Sequence, residues 1–239
     1  MRLAVRQISS AIGPVKAIRK CFESSPVTAR VAPFIVLIAL TLLQGRLGES
    51  SHYWMYLAKT IVGLWLVLMS RPFVSEMRWA FGWEAVVVGV GVFIMWVGID
   101  PFYPRLPGIG QNAAAWNPIA HYGQGSAMAW LFIVTRILGS TFVVPPIEEV
   151  FYRSFLYRYI IKQDFLSVSL GTFAWMPFLV TAAVFGFEHH QWIAGILCGM
   201  AYQWLVIRKQ RLGDAMTAHA ITNFLLGLWV VWKNAWHFW

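Results

Sequence analysis

Three short patterns place polar side chains in sequence otherwise apolar enough to enter a bilayer: Glu148-Glu149-x-x-x-Arg153, Phe185-x-x-x-His189 and His219-x-x-x-Asn223. An ionisable residue inside a membrane span costs roughly 2.5–3.5 kcal/mol at the helix centre on insertion scales, so such groups usually face a partner or a functional cavity. Glu149 and Arg153 stand at i, i+4 with the acid first, the favourable order for an ion pair within a helix. Glu148 lies about 100° around the same helix and is left free. Phe185 shares a face with His189, and His219 with Asn223, so each imidazole has a partner one turn away. A carboxylate, two imidazoles and an amide are what water activation and oxyanion stabilisation require. The patterns therefore predict Glu148 as general base and His189 as the partner of the attacking water. His219 and Asn223 are then the donors to the oxyanion of an attacked peptide carbonyl. Glu149 and Arg153 support them as a pair, Phe185 walls the His189 ring, and Tyr152, one turn beyond Glu148, is placed to orient a carboxylate or a substrate carbonyl. Taken singly, each group also reads as a structural ion pair or an interhelical hydrogen bond; their combination argues for chemistry.

The elements that must hold these groups are membrane helices. Of 239 residues, 59% are hydrophobic, 12% are charged and 14 are Trp, whereas about a quarter of a soluble domain is charged. The net charge of +9 comes from basic residues at the N-terminus and at the ends of apolar segments. The positive-inside rule accounts for them without nucleic acid as a partner. Cys21 and Cys198 are too few for a disulfide framework or a metal cluster.

Read in order, residues 1–30 form a basic cytoplasmic or interfacial arm, with Arg2, Arg6, Lys16, Arg19, Lys20 and Arg30 against Glu23. Residues 31–125 hold the N-terminal spans, at about 31–45, 52–70 and 81–98, and a long outer connection over 99–125 that contains His121. Residues 126–239 form the catalytic core, with apolar segments at about 126–144, 147–162, 171–188, 190–207 and 214–232. Pro145 and Pro146 supply the break from which the glutamate helix starts, leaving Glu148 and Glu149 in a first turn that favours negative charge. Lys59 and Glu84 are expected to pair across two spans. Gly195 and Gly199 permit a close helix approach. Strict alternation over eight spans creates a conflict, because it puts Arg158, Lys162 and Arg208-Lys209-Gln210-Arg211 on the outer side.

On separate helices and in this order, the three patterns resemble the motifs of the CPBP family of intramembrane proteases, which comprises type II CAAX prenyl endopeptidases and bacterial Abi-like or self-immunity relatives. The resemblance covers residues from roughly 126 to 235. It implies an all-α fold, a polytopic transmembrane helical bundle of about 7–8 spans, in the bacterial inner membrane. Its partners would be membrane lipids and a peptide or protein substrate processed near its C-terminus. It also implies Glu148 as base, Glu149 and Arg153 as supporting pair, His189 as water partner, and His219 and Asn223 as oxyanion site. No cofactor is expected, since a metal-free glutamate mechanism is proposed for the family's prenyl endopeptidases. Glu, His, His and Asn could equally ligate a divalent metal such as zinc, although the usual His-Glu-x-x-His signature is absent. Gly123-Gln124-Gly125-Ser126 does not fit a rhomboid-type serine protease, and Arg211-Leu212-Gly213-Asp214 does not fit an aspartyl type. The rivals from other classes are a non-catalytic immunity or binding protein, and a transporter with a proton or ion relay through Glu148, Arg136 and the histidines. Inverted repeats would support the transporter, and none is visible.

Overall fold

The structure is a computed structural model that describes residues 13–102 and 116–239, and every regular element among these residues is helical. Helix α1 (Pro14–Ser24) and α2 (Pro26–Leu43) both begin on a proline, whose missing N–H costs nothing in a first turn. Ser25 caps α2, its hydroxyl accepting from the Thr28 N–H at 3.1 Å. There follow α3 (Ser51–Ser70), α4 (Trp83–Ile99), the short α5 (Pro118–Tyr122) and α6 (Ala127–Phe142). Helix α7 (Val144–Glu149) leads into a π-helical segment, Val150–Leu156, and then α8 (Tyr157–Ile161). Helices α9 (Trp175–Phe187), α10 (Trp192–Lys209) and α11 (Gly213–Lys233) complete the bundle. Part of the expected outer connection, 103–115, lies outside the described residues. So does most of the basic arm, 1–12.

Among the described residues, five helical stretches are long and apolar enough to cross a membrane: Pro26–Leu43, Ser51–Phe73, Trp83–Phe102, Ala127–Ile161 and Gly213–Lys233. Helix α9 is apolar but has only 13 residues. The two segments expected around the diproline form one 35-residue rod, interrupted only at Val143, which itself keeps a right-handed helical backbone. Pro145 and Pro146 sit in the first turn after it, as expected, but they do not separate two crossings. At about 1.5 Å per residue the rod is roughly 52 Å long, against about 30 Å of hydrocarbon.

Treating the rod as one crossing removes the charge conflict, and tertiary contacts support that. Arg30 at the start of α2, Glu76 between α3 and α4, and Arg158 near the rod's end meet at one end of the bundle. Glu84, in the first turn of α4, meets Lys209 at the end of α10 at 2.8 Å on that same end. At the other end His121 bonds Ser50, and His237 bonds Asp100. The basic ends of the rod and of α10 therefore lie with the start of α2, the end that the positive-inside rule assigns to the cytoplasm.

The expected Lys59–Glu84 pair does not form. Lys59 donates to Thr41 Oγ1 at 3.1 Å and lies over the Tyr56 ring, while Glu84 pairs with Lys209 and Arg208. The reason is depth: Lys59 precedes the end of α3 by eleven residues, about 16 Å of helix rise, whereas Glu84 opens α4. The Gly195/Gly199 expectation holds. A Cβ on Gly195 would stand 2.8 Å from Gly186 Cα, and one on Gly199 would stand 3.0 Å from Ala182 Cα, so α9 and α10 pack backbone to backbone. Helices α4 and α11 meet as closely at Gly89, whose carbonyl accepts from Thr222 Oγ1 at 2.8 Å.

Candidate active site

The rod sets the first pattern by changing its own winding. From Val150 to Leu156 its backbone is π-helical, a variant that recurs at functional sites because it re-aims side chains. Just before it, Glu149 Oε2 faces Arg153 Nε at 3.2 Å, with both side chains sealed from solvent. The Arg153 guanidinium lies 4.6 Å from the Phe185 ring, so the pair is covered by the aromatic residue of the second pattern.

The third pattern closes on the first from α11. His219 Nδ1 stands 3.0 Å from Glu149 Oε1. Facing a carboxylate, that nitrogen carries the proton, and Nε2 is turned towards Glu148 Oε2 at 3.9 Å. Glu148 is 7% exposed, and its Oε2 is buried with no hydrogen-bond partner. Glu149 thus joins Arg153 to His219, while Glu148 stays unpaired, as the 100° offset between them predicts.

His189 follows α9. Its Nδ1 is 2.8 Å from the Phe185 carbonyl; a carbonyl only accepts, so Nε2 is the free face of the neutral ring. Phe185 and Trp96 flank that ring at 4.8 and 5.5 Å between centroids. Asn223 donates one N–H of its amide to the Ser140 carbonyl on α6 at 2.8 Å, leaving the second N–H and the carbonyl. His189, His219, Asn223 and Phe185 all line one cavity of about 300 Å³. Glu148 is not part of that lining; its carboxylate approaches the cavity wall at His219, 3.9 Å away.

Tyr152 orients a carboxylate, that of Glu188, to which its hydroxyl donates at 2.5 Å. Glu188, next to His189 and on the cavity wall, was visible as an acid in an apolar stretch but has no helical-spacing partner to mark it. Tyr202 is also missing from the sequence patterns. It stacks on His219 with centroids 5.2 Å apart and donates to Thr222 Oγ1 at 2.7 Å. A tyrosine in an apolar helix carries no such signal. Among the described residues no group of three His, Cys, Asp or Glu side chains is arranged to hold a metal ion.

The geometry agrees with what comparison finds. Residues 128–225, about two fifths of the chain, match the family model of type II CAAX prenyl endopeptidase Rce1-like proteins. The match spans all three patterns and bears out the family read from them. It identifies this stretch at family level with CAAX-type intramembrane proteases, in a chain that is an integral multi-pass membrane protein. No curated protein and no solved structure matches the chain.

Proposed function

We propose that the protein is a membrane-embedded endopeptidase in which Glu148 activates water against a peptide carbonyl. The observation that carries this reading is the unpaired, buried Oε2 of Glu148 standing 3.9 Å from His219 Nε2. That gap is too long for a direct hydrogen bond, so the oxygen keeps its capacity to take a proton. A lone carboxylate oxygen so placed is costly to bury without use.

Glu148 takes one proton as the water oxygen attacks the carbonyl carbon, and His189 Nε2 accepts a hydrogen bond from the water's second O–H. The oxyanion receives the spare Asn223 N–H and an N–H of His219. Glu149 accepts from Nδ1 on the other side of that ring and is itself paired with Arg153. Collapse breaks the C–N bond, and Glu148 returns its proton to the departing amine nitrogen. One such donor is worth about 2.7–4 kcal/mol in the barrier. Phe185 and Tyr152 position the histidine and Glu188. Residues 126–239 form the catalytic core, supported by 1–30 and 31–125, and the substrate is a membrane-associated peptide or protein of the bacterial inner membrane.

The test uses purified full-length protein in lipid nanodiscs. Glu148→Gln, His189→Ala and His219→Ala should melt near the parent temperature and lose cleavage of a substrate trapped from the native membrane. Retained cleavage in all three removes the enzymatic reading. Chelator treatment of the active parent tests whether the chemistry needs a metal.

A further inference from the structure

Arg136 lines the same cavity and takes no part in the proposed chemistry. Its guanidinium is surrounded by rings, with Trp116 at 4.6 Å, Tyr56 at 4.8 Å and Trp239 at 5.3 Å from Cζ to centroid. Ring faces attract a cation but leave its N–H donors unanswered. Among the described residues no carboxylate forms an ion pair with it. Other acids of the bundle meet other groups: Glu76 pairs with Arg30 and Arg158, Glu84 with Lys209, Glu149 with Arg153 and Asp214 with Arg211, while Glu148 faces His219 and Glu188 takes the Tyr152 hydroxyl. Residues 1–12 and 103–115 contain no Asp or Glu at all. Lys59 lies on the same Tyr56 ring, 4.5 Å from its centroid, so a second cation stands behind this wall rather than a counter-ion.

The cavity is therefore polarised. Its acidic group is Glu188, after α9, with Glu148 beside His219, and its cationic group is Arg136, on α6. Arg136 and Asn223 are linked along α6: Ser140, whose carbonyl holds Asn223, follows Arg136 by four residues, about 6 Å of rise. A guanidinium held by rings, with donors open to a cavity, presents the planar fork that binds a carboxylate in two-point fashion.

We infer that Arg136 is the anchor for a carboxylate of the peptide substrate, one helical turn from the Asn223 amide. The inference rests on the proposed peptidase reading for its substrate class, but the binding it predicts does not require turnover. The carboxylate can come from the free C-terminus of the peptide or from an acidic side chain, and both supply the same two oxygens.

The experiment measures binding by the fluorescence of the tryptophans, two of which form the cage. It uses full-length protein in phosphatidylcholine nanodiscs. Three probes are titrated: N-acetyl-trileucine with a free C-terminal carboxylate, its C-terminal amide, and N-acetyl-Leu-Glu-Leu amide. The parent should bind at least one carboxylate probe roughly ten- to hundredfold more tightly than trileucine amide, the range expected for a charge-assisted pair; which probe gains identifies the source. Arg136→Gln should collapse that ratio to about one, and Arg136→Lys should restore part of it. Glu148→Gln should keep the ratio, so retained cleavage in that variant with retained discrimination would count against the peptidase reading alone. Equal binding of all three probes by the parent overturns the anchor, and so does a ratio unchanged in Arg136→Gln. Loss of the discrimination when phosphatidylglycerol replaces phosphatidylcholine would assign Arg136 to lipid phosphate and also overturn it. If Arg136→Gln does not fold, the parent's ratio and that of Arg136→Lys still decide.

Discussion

Two buried ionic clusters sit on the same rod, within six residues of each other, and they are built on opposite principles. In the first, at the basic end of the bundle, Glu76 accepts from Arg30 Nη2 at 2.9 Å on each oxygen and from Arg30 Nε at 3.1 Å, from Arg158 Nη2 at 2.7 Å, and from the hydroxyl of Ser154. Arg158 also donates to the Ser154 carbonyl at 2.5 Å and the Val168 carbonyl at 3.3 Å, and Arg30 to the Pro26 carbonyl at 3.0 Å. Burial alone would push the Glu76 carboxyl up, but the Arg30 charge and the hydrogen bond from Ser154 outweigh it and hold the group at about 2. In the second, Glu149 is shared by Arg153 and His219, while its neighbour Glu148 keeps a buried oxygen with no partner. Complete satisfaction marks a group that fixes structure; an acceptor left open beside an imidazole marks one free to take a proton. The first cluster ties α2, the connection after α3 and the π-helical segment together, so it also holds the rod that presents the second.

The comparison can be broken or sharpened by substitution. The largest effect is expected from Glu148→Gln: roughly 10²- to 10⁴-fold lower cleavage, the range for a general base, with little change in thermal melting. Glu76→Gln should do the reverse. It leaves two buried guanidiniums without their counter-charge, costing about 3–5 kcal/mol of stability in denaturant titration, while protein that remains folded keeps most of its activity. A Glu148→Gln variant as unstable as Glu76→Gln would erase the distinction between the clusters.

Acid should then separate them by titration. A carboxyl held below its ordinary 4.5 contributes stability that is full above that value and is lost as pH falls from about 4.5 towards 2. Unfolding midpoints of the parent should fall across this window, and those of Glu76→Gln should fall less. The smallest effect is expected from Tyr152→Phe, which removes the donor to Glu188 but no group of the proposed chemistry. A rate loss of about tenfold or less, of the order of one hydrogen bond, should appear in kcat with melting unchanged. A loss as large as that of Glu148→Gln would move Glu188 into the reacting set.

How far the site could be read from sequence follows from the range of each interaction. The Glu149–Arg153 pair and the Phe185–His189 contact are one helical turn apart in the chain, so helix periodicity alone exposes them. The freedom of Glu148 follows from the same geometry. Glu188 and Tyr202 were missed because their partners, Tyr152 and the His219 ring, lie on other helices. Lys59 and Glu84 were wrongly joined because opposite charges in neighbouring spans say nothing about depth.

By itself, then, the order of residues determined that the chain is a helical membrane protein and which side chains could do chemistry, since apolar content and i, i+4 spacing are local properties. Only the tertiary structure decided that the diproline rod is continuous, that its basic end lies beside Arg30 and Glu76, and that Arg136 faces the cavity without an ion-pair partner among the described residues. Those outcomes depend on which helix ends meet and on how close the backbones come at Gly89, Gly186 and Gly195. They are set by packing between different helices, some of them more than a hundred residues apart in the chain, where no periodicity within one helix can register.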